Sequence, residues 1–260
     1  MTMTLREKLL LWWGRRHIGE TIRRRAVRRS LCKYTPTNSP SRTAADSEAR
    51  RRGGPDVILD AGCGRGDNAL WCARRWPSAR IDAVDFDPEC IATVERRAVV
   101  NYPNVHARIG NIERDTFGSG YDIIYSVDVF EHLHNPHTAF ERCAAQLERG
   151  GRLIIHVPQR EQRRWFSRFE QFDQEDHVRS GFTREELEQC AAGVGLRAIE
   201  ARETFGRLGA LGWELFQLAQ QAGKWFALVM YPVPWILATL DGVLPHRSGN
   251  GLLVVFERTP

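Results

Sequence analysis

From residue 56 onward, short β-branched runs alternate with helical patterns, and this alternation restricts the fold more than any single motif. Strands are expected near 56–60, 80–85, 105–109, 121–126, 152–157, 196–202 and 251–257. Helices are expected between the first five of these, near 67–76, 88–101 and 137–148, with a further one between the third and fourth strands. The stretch FTREELEQCAAGVG adds another over 184–194, since Thr183 and Glu186 have capping-box spacing and Gly193 or Gly195 can end it. Strand and helix in alternation imply a mostly parallel sheet covered on both faces, and right-handed crossovers then make it doubly wound.

The flanks differ in composition. Residues 1–55 carry fourteen Lys and Arg against four Asp and Glu, so in a chain of net charge +5 the remainder carries −5. Within a basic arm over 1–33, Leu5, Leu9, Trp12 and Trp13 fall on one helical face surrounded by arginines. Such a helix suits the surface of an anionic membrane, and it also suits folding over the domain's own cleft. Its apolar core, Leu9–Trp13, is too short for export or for spanning a bilayer. Residues 34–55 read as linker, and 56–260 as the main domain. An insertion over 204–250 contains an uncharged run from Trp225 to Leu240, broken by Pro232 and Pro234. It reads either as a helical lid or as an apolar, membrane-contacting wall. Six cysteines without a C-x-x-C pair point to reduced thiols in a cytoplasmic protein.

The first strand runs into VILDAGCGRGDNAL, with Gly62, Gly64 and Gly66 in five positions. A strand, a glycine turn and a helix bring bare backbone and a helix N-terminus up to a ligand. Asp67 occupies the place where a dinucleotide fingerprint has its third glycine, and Asp60 would repel a pyrophosphate but attract an ammonium group. Asp85, at the end of the second strand, is placed to accept from both hydroxyls of a ribose. S-adenosylmethionine has both the amino group and the ribose.

VILDAGCGRG, IDAVDFDPECI, GNIE, YDIIYSVDVFEHL and LERGGRLIIHVP resemble, in order and spacing, the successive motifs of the class I S-adenosylmethionine-dependent methyltransferases. The resemblance covers about residues 56–203 and implies a Rossmann-like, seven-stranded α/β sheet whose last strand is antiparallel. It also implies cofactor contacts from Asp60, Gly62, Cys63, Gly64, Gly66, Asp85, Phe86, Asn111, Ile112 and Val127, with Phe86 against the adenine. Asn111 stands where the family often has Asp, which alters adenine recognition without abolishing it.

Methyl transfer needs a positioned nucleophile and often a base. The stretch after the fourth strand, SVDVFEHLHNPH, offers His132 as general base beside Glu131, with Asp128, His134 and His137 nearby. Asp128, Glu131 and His132, with His177, form a candidate divalent-cation site, and Arg179 a candidate anion contact. The Asn/Asp-Pro-Pro-aromatic run of base-modifying relatives is replaced by Val127-Asp128-Val129-Phe130, which disfavours nucleic acid. The expected reaction is therefore O-methylation of a sugar, isoprenoid or aromatic lipid-linked acceptor, by a protein peripheral on an anionic inner membrane face. A soluble small-molecule acceptor, or cofactor binding without methyl transfer, are the competing readings.

Overall fold

The structure is a computed structural model describing residues 17–35, 54–169, 178–244 and 248–259. The Leu5 to Trp13 face, most of the linker and His177 lie outside the described residues. The chain runs α1 (Ile18–Lys33), β1 (Val57–Ala61), α2 (Asp67–Arg75), β2 (Arg80–Asp85), α3 (Pro88–Ala98), β3 (Val105–Ile109), β4 (Tyr121–Val127), α4 (Pro136–Gln146) and β5 (Leu147–Pro158). It continues through α5 (Arg184–Ala191), β6 (Leu196–Thr204), α6 (Arg207–Ala222), α7 (Lys224–Met230), α8 (Pro232–Asp241) and β7 (Gly251–Arg258).

The seven strands form one sheet in the order β3-β2-β1-β4-β5-β7-β6. The first five pair in parallel, and β7 lies antiparallel between β5 and β6. Strand order reverses between β1 and β4, which opens a crevice at their carboxyl ends, where ligands of doubly wound folds bind.

Strand side chains alternate between two cores, as the two-residue period requires. Leu59, Ile124, Leu153 and Ile155 pack with α4 and α5, whereas Ile58, Tyr125 and Ile154 pack with α2 and α3. Val27 and Leu31 of α1 join the second core, and Ile18 and Ile22 join a third with Trp213, Phe216, Tyr231 and Ala238 of the insertion. Helix α1 therefore bridges the sheet and the insertion, which itself folds into α6, α7 and α8.

Two expectations change. No helix forms between β3 and β4: the Asn111 side chain accepts from the Glu113 N–H at 2.8 Å, and Asp115 accepts from the Asn111 N–H at 2.8 Å. These local bonds close a turn where a helix would have started. Strand β5 begins at Leu147 instead of 152, because Leu147 already pairs with Tyr121 ahead of a register shift. Among the described residues, no helix is long and apolar enough to cross a membrane.

Candidate active site

The glycine turn is tied to β2. The N–H groups of Gly62 and Cys63 both donate to the Val84 carbonyl at 2.8 Å. The Gly64 N–H donates to Asp85 Oδ2 at 2.7 Å, and the Asp87 N–H to Asp85 Oδ1 at 3.0 Å. Each oxygen of Asp85 is thus oriented by one backbone donor and keeps a second lone pair, the capacity a ribose diol needs. Gly62 and Gly64 have φ of 85° and 51°, conformations that favour glycine. A Cβ on Gly62 would enter the Val129 side chain, whereas one on Gly64 would meet nothing within 4 Å and would project into the open crevice. Gly66 is the N-cap of α2, and the Cys63 thiol is buried, which pushes its pKa up.

Asp60 is buried at the end of β1, and its Oδ2 has no hydrogen-bond partner. Burial, with Asp85 as a further contributor, pushes its carboxyl up to about 7 despite bonds from the Tyr125 hydroxyl and the Ala69 N–H. An orphaned, desolvated carboxylate oxygen is matched by a ligand ammonium. Phe86 is 75% exposed directly after Asp85, an uncovered ring of the kind an adenine can stack on. Ile112 is buried, Val127 half-buried, and Asn111 keeps one free lone pair on its carbonyl oxygen after capping its turn. These residues fit S-adenosylmethionine: Asp60 for the amino group, Gly64 for close backbone approach, Asp85 for the ribose and Phe86 for the base.

Across the crevice, β4 is followed directly by Asp128, which holds φ of 53°. Its Oδ1 lies 2.7 Å from His156 Nδ1, and its Oδ2 lies 2.7 Å from Arg23 Nη1 of α1. His156 Nε2 in turn lies 2.9 Å from Thr204 Oγ1. A short 3-10 turn, Phe130–His132, then presents Glu131 and His132 to a cavity of ≈ 250 Å³ that Arg23, Asp128 and His156 also line. Glu131 is buried with Oε2 unpartnered, and burial, reinforced by Asp128, holds its carboxyl well above the usual carboxylate range. His132 is exposed, so an imidazole and the buried Glu131 carboxyl, neighbours in sequence, line one cavity.

His137 and Arg179 do not line this cavity. Among the described residues, no group of three or more His, Cys, Asp or Glu side chains could hold a metal ion. Asp128 is instead committed to Arg23 and His156. His137 pairs with Glu141 at 3.4 Å on α4. The Arg179 guanidinium donates to the Leu133 carbonyl at 2.8 Å and lies over Phe182, so it braces the 130–134 turn from outside.

Sequence reading missed His156, Thr204 and Arg23. A usable signal was present for the first: a histidine inside the apolar run LIIHVP is a buried polar group that requires partners. Arg23 was one of many arginines in the arm, and only docking of α1 singles it out.

A family model described as "Methyltransferase domain" matches residues 8–201. The chain is 31% identical over 101 residues to the trans-aconitate 2-methyltransferase of Afipia carboxidovorans, a match spanning 39% of this chain and 38% of the relative. It is 33% identical over 105 residues to the malonyl-[acyl-carrier protein] O-methyltransferase of Halalkalibacterium halodurans, again 39% and 38% of the two chains. The chain thus spans under two fifths of the curated relatives it matches. The fold is similar to that of phosphoethanolamine N-methyltransferase 2 of Haemonchus contortus in complex with S-adenosyl-L-methionine, with TM-score 0.59 and 18% identity over 85% of this chain and 54% of that one.

Proposed function

Because the chain belongs to the S-adenosylmethionine-dependent class I methyltransferases, we propose that it methylates an oxygen of a sugar, isoprenoid or aromatic acceptor that is lipid-linked and presented at a membrane surface. S-adenosylmethionine supplies the electrophilic methyl group. Asp60 and Asp85 hold its amino group and ribose, and His132 accepts the proton that leaves the acceptor hydroxyl as the oxygen is methylated. Glu131, whose carboxyl burial holds well above the usual carboxylate range and whose Oε2 has no partner, is placed to hydrogen-bond and orient the acceptor.

The observation that carries the membrane reading is the apolar outer face of α7 and α8. Trp225, Phe226, Val229, Trp235 and Ile236 are all at least 39% exposed, a denser apolar surface than solvent-facing helices ordinarily carry. Arg25 of α1 reaches the same face, donating to Thr239 Oγ1 at 3.1 Å, so a cation borders the patch. Apolar side chains with a basic border match the interface of an anionic bilayer. A second reading, a small soluble acid as acceptor, has support in the name of the trans-aconitate 2-methyltransferase relative.

The test is flotation of the protein with phosphatidylglycerol vesicles, with and without Trp225→Ser and Phe226→Ser, alongside methyl transfer to lipid extracts and to soluble acids. Flotation lost in the double variant, with label in the lipid fraction, is the expected result. Label only in soluble acids, with no flotation, would establish the second reading. For the chemistry, His132→Ala is expected to lower turnover by about 10²–10⁴-fold while cofactor binding persists; unchanged turnover would remove His132 from its role.

A further inference from the structure

Beside the 250 Å³ cavity lies a larger one of ≈ 710 Å³, bounded by the 159–165 segment after β5, the end of β6 and the start of α6. The two cavities share Arg164, Phe205 and Asn250, so they adjoin. The larger one is lined by three arginines, Arg163, Arg164 and Arg207, against two acids, Glu161 and Glu203.

These arginines sit on an anchored segment. Asn250 accepts from the Arg163 N–H at 2.8 Å through Oδ1 and donates to the Arg163 carbonyl at 2.9 Å through Nδ2, clamping the main chain at that residue. Glu214 of α6, fully buried, accepts from the N–H groups of Trp165 and Phe166 at 2.8 to 3.1 Å, which fixes the next two residues. Trp165 Nε1 donates to the Arg207 carbonyl at 2.9 Å, and the Arg207 guanidinium lies over the Trp165 ring at 4.9 Å. Arg164 is engaged with Gln162 and with the Trp213 ring. The Arg163 guanidinium, by contrast, makes no hydrogen bond or ion pair with any described residue. Two side-chain bonds thus fix the backbone of an exposed arginine whose five donors no described residue uses, at a cavity wall.

We propose that this cavity is a subsite for an anionic group, a carboxylate or phosphate, carried by the methyl acceptor, with Arg163 as its main contact and Arg207 as a second cation. A planar guanidinium matches two oxygens of such a group at once, which the point charge of a lysine ammonium would not do. Glu203, whose Oε2 is buried without a partner on β6, adds an acceptor for a hydroxyl of the same molecule. The acceptor would then span both cavities, its anion at Arg163 and its reacting oxygen at His132. The inference rests on the methyltransferase reading for the identity of the ligand, and not for the anion site itself.

The test uses the full chain and two soluble probes, inorganic pyrophosphate and citrate, in calorimetric titrations of wild type, Arg163→Gln and Arg163→Lys. S-adenosylmethionine is titrated in parallel. At least one probe is expected to bind wild type and to weaken about tenfold or more in Arg163→Gln, with part of the loss restored in Arg163→Lys. Displacement of the probe by phosphatidylglycerol vesicles, but not by phosphatidylcholine, would assign the anion to a lipid headgroup. Retention of the probe would assign it to a soluble acid. Equal binding by wild type and Arg163→Gln, or no binding of either probe by protein that binds S-adenosylmethionine, overturns the subsite. Probe binding that depends on Arg163 in protein unable to bind S-adenosylmethionine keeps the subsite and overturns the methyltransferase reading instead.

Discussion

Arg23 Nη1 lies 2.7 Å from Asp128 Oδ2, an ion pair that joins α1 to the first residue after β4. It secures α1 at the point where Asp128 also meets His156. With side chains 32% and 20% exposed, the pair lies between the surface and buried regimes, so its worth is about 1 kcal/mol. A double-mutant cycle of Arg23→Ala and Asp128→Asn, followed by urea denaturation, is expected to give a coupling of that order. A coupling near zero would mean that α1 is held by its apolar face alone.

Asp60 gives a pH dependence whose sign follows from its environment. Its carboxyl is raised to about 7 from 3.8, so between those values the folded chain binds more protons than the unfolded one. This contribution to stability is complete below the unfolded value and disappears as pH rises through about 7. Cofactor affinity runs the opposite way, because the ammonium needs the ionised carboxylate. Affinity for S-adenosylmethionine is expected to fall on acidification below about pH 7, and Asp60→Asn to flatten that profile. A profile of the same slope in the variant would assign the titration to another group.

Gly62 and Gly64 are expected to fail in different ways. Alanine at Gly62 meets Val129 and holds an unfavourable φ, so a loss of about 2–4 kcal/mol in stability is expected by thermal or chemical melting. Alanine at Gly64 has open space, so only the left-handed backbone cost of about 1–2 kcal/mol applies, while its methyl group occupies the crevice. Gly64→Ala is therefore expected to lose cofactor binding disproportionately to stability. Parallel losses in both variants would contradict this division.

His156 carries the connection between Thr204 and Asp128 with both ring nitrogens. His156→Leu leaves two polar groups without their buried partner and is expected to cost about 1–3 kcal/mol. Turnover should fall as well, since Asp128 and the adjoining Glu131–His132 turn lose their support. A variant of unchanged stability would show that water or rotation satisfies Thr204 and Asp128.

Asp85→Ala removes the acceptor shared by the Gly64 and Asp87 N–H groups. Cofactor affinity is expected to drop by about a hundredfold, on the scale of two charge-assisted hydrogen bonds. Calorimetry with S-adenosylmethionine reads this directly, and retained affinity would move the ribose away from Asp85.

The sequence by itself determined the sheet and which residues stand at the carboxyl edge of its first two strands. β-branched runs, glycine spacing and acids at strand ends are local properties, and a parallel sheet places every β-to-α turn at one edge without further instruction. Asp60, Gly64 and Asp85 could be placed at that edge for that reason, whereas Phe86 came only from the family resemblance. The same locality misled between β3 and β4, where side-chain bonds of Asn111 and Asp115 outcompete a helix. Tertiary structure alone decided the partners of Asp128. His156 is 28 residues away and Thr204 a further 48, and they meet only because β7 pairs between β5 and β6. It also decided which arginine of α1 reaches Asp128 and which arginine of the 159–165 segment has donors that no described residue uses. Charge is written in the sequence, but the dielectric and the neighbours that give it a role come from burial and packing between segments distant along the chain.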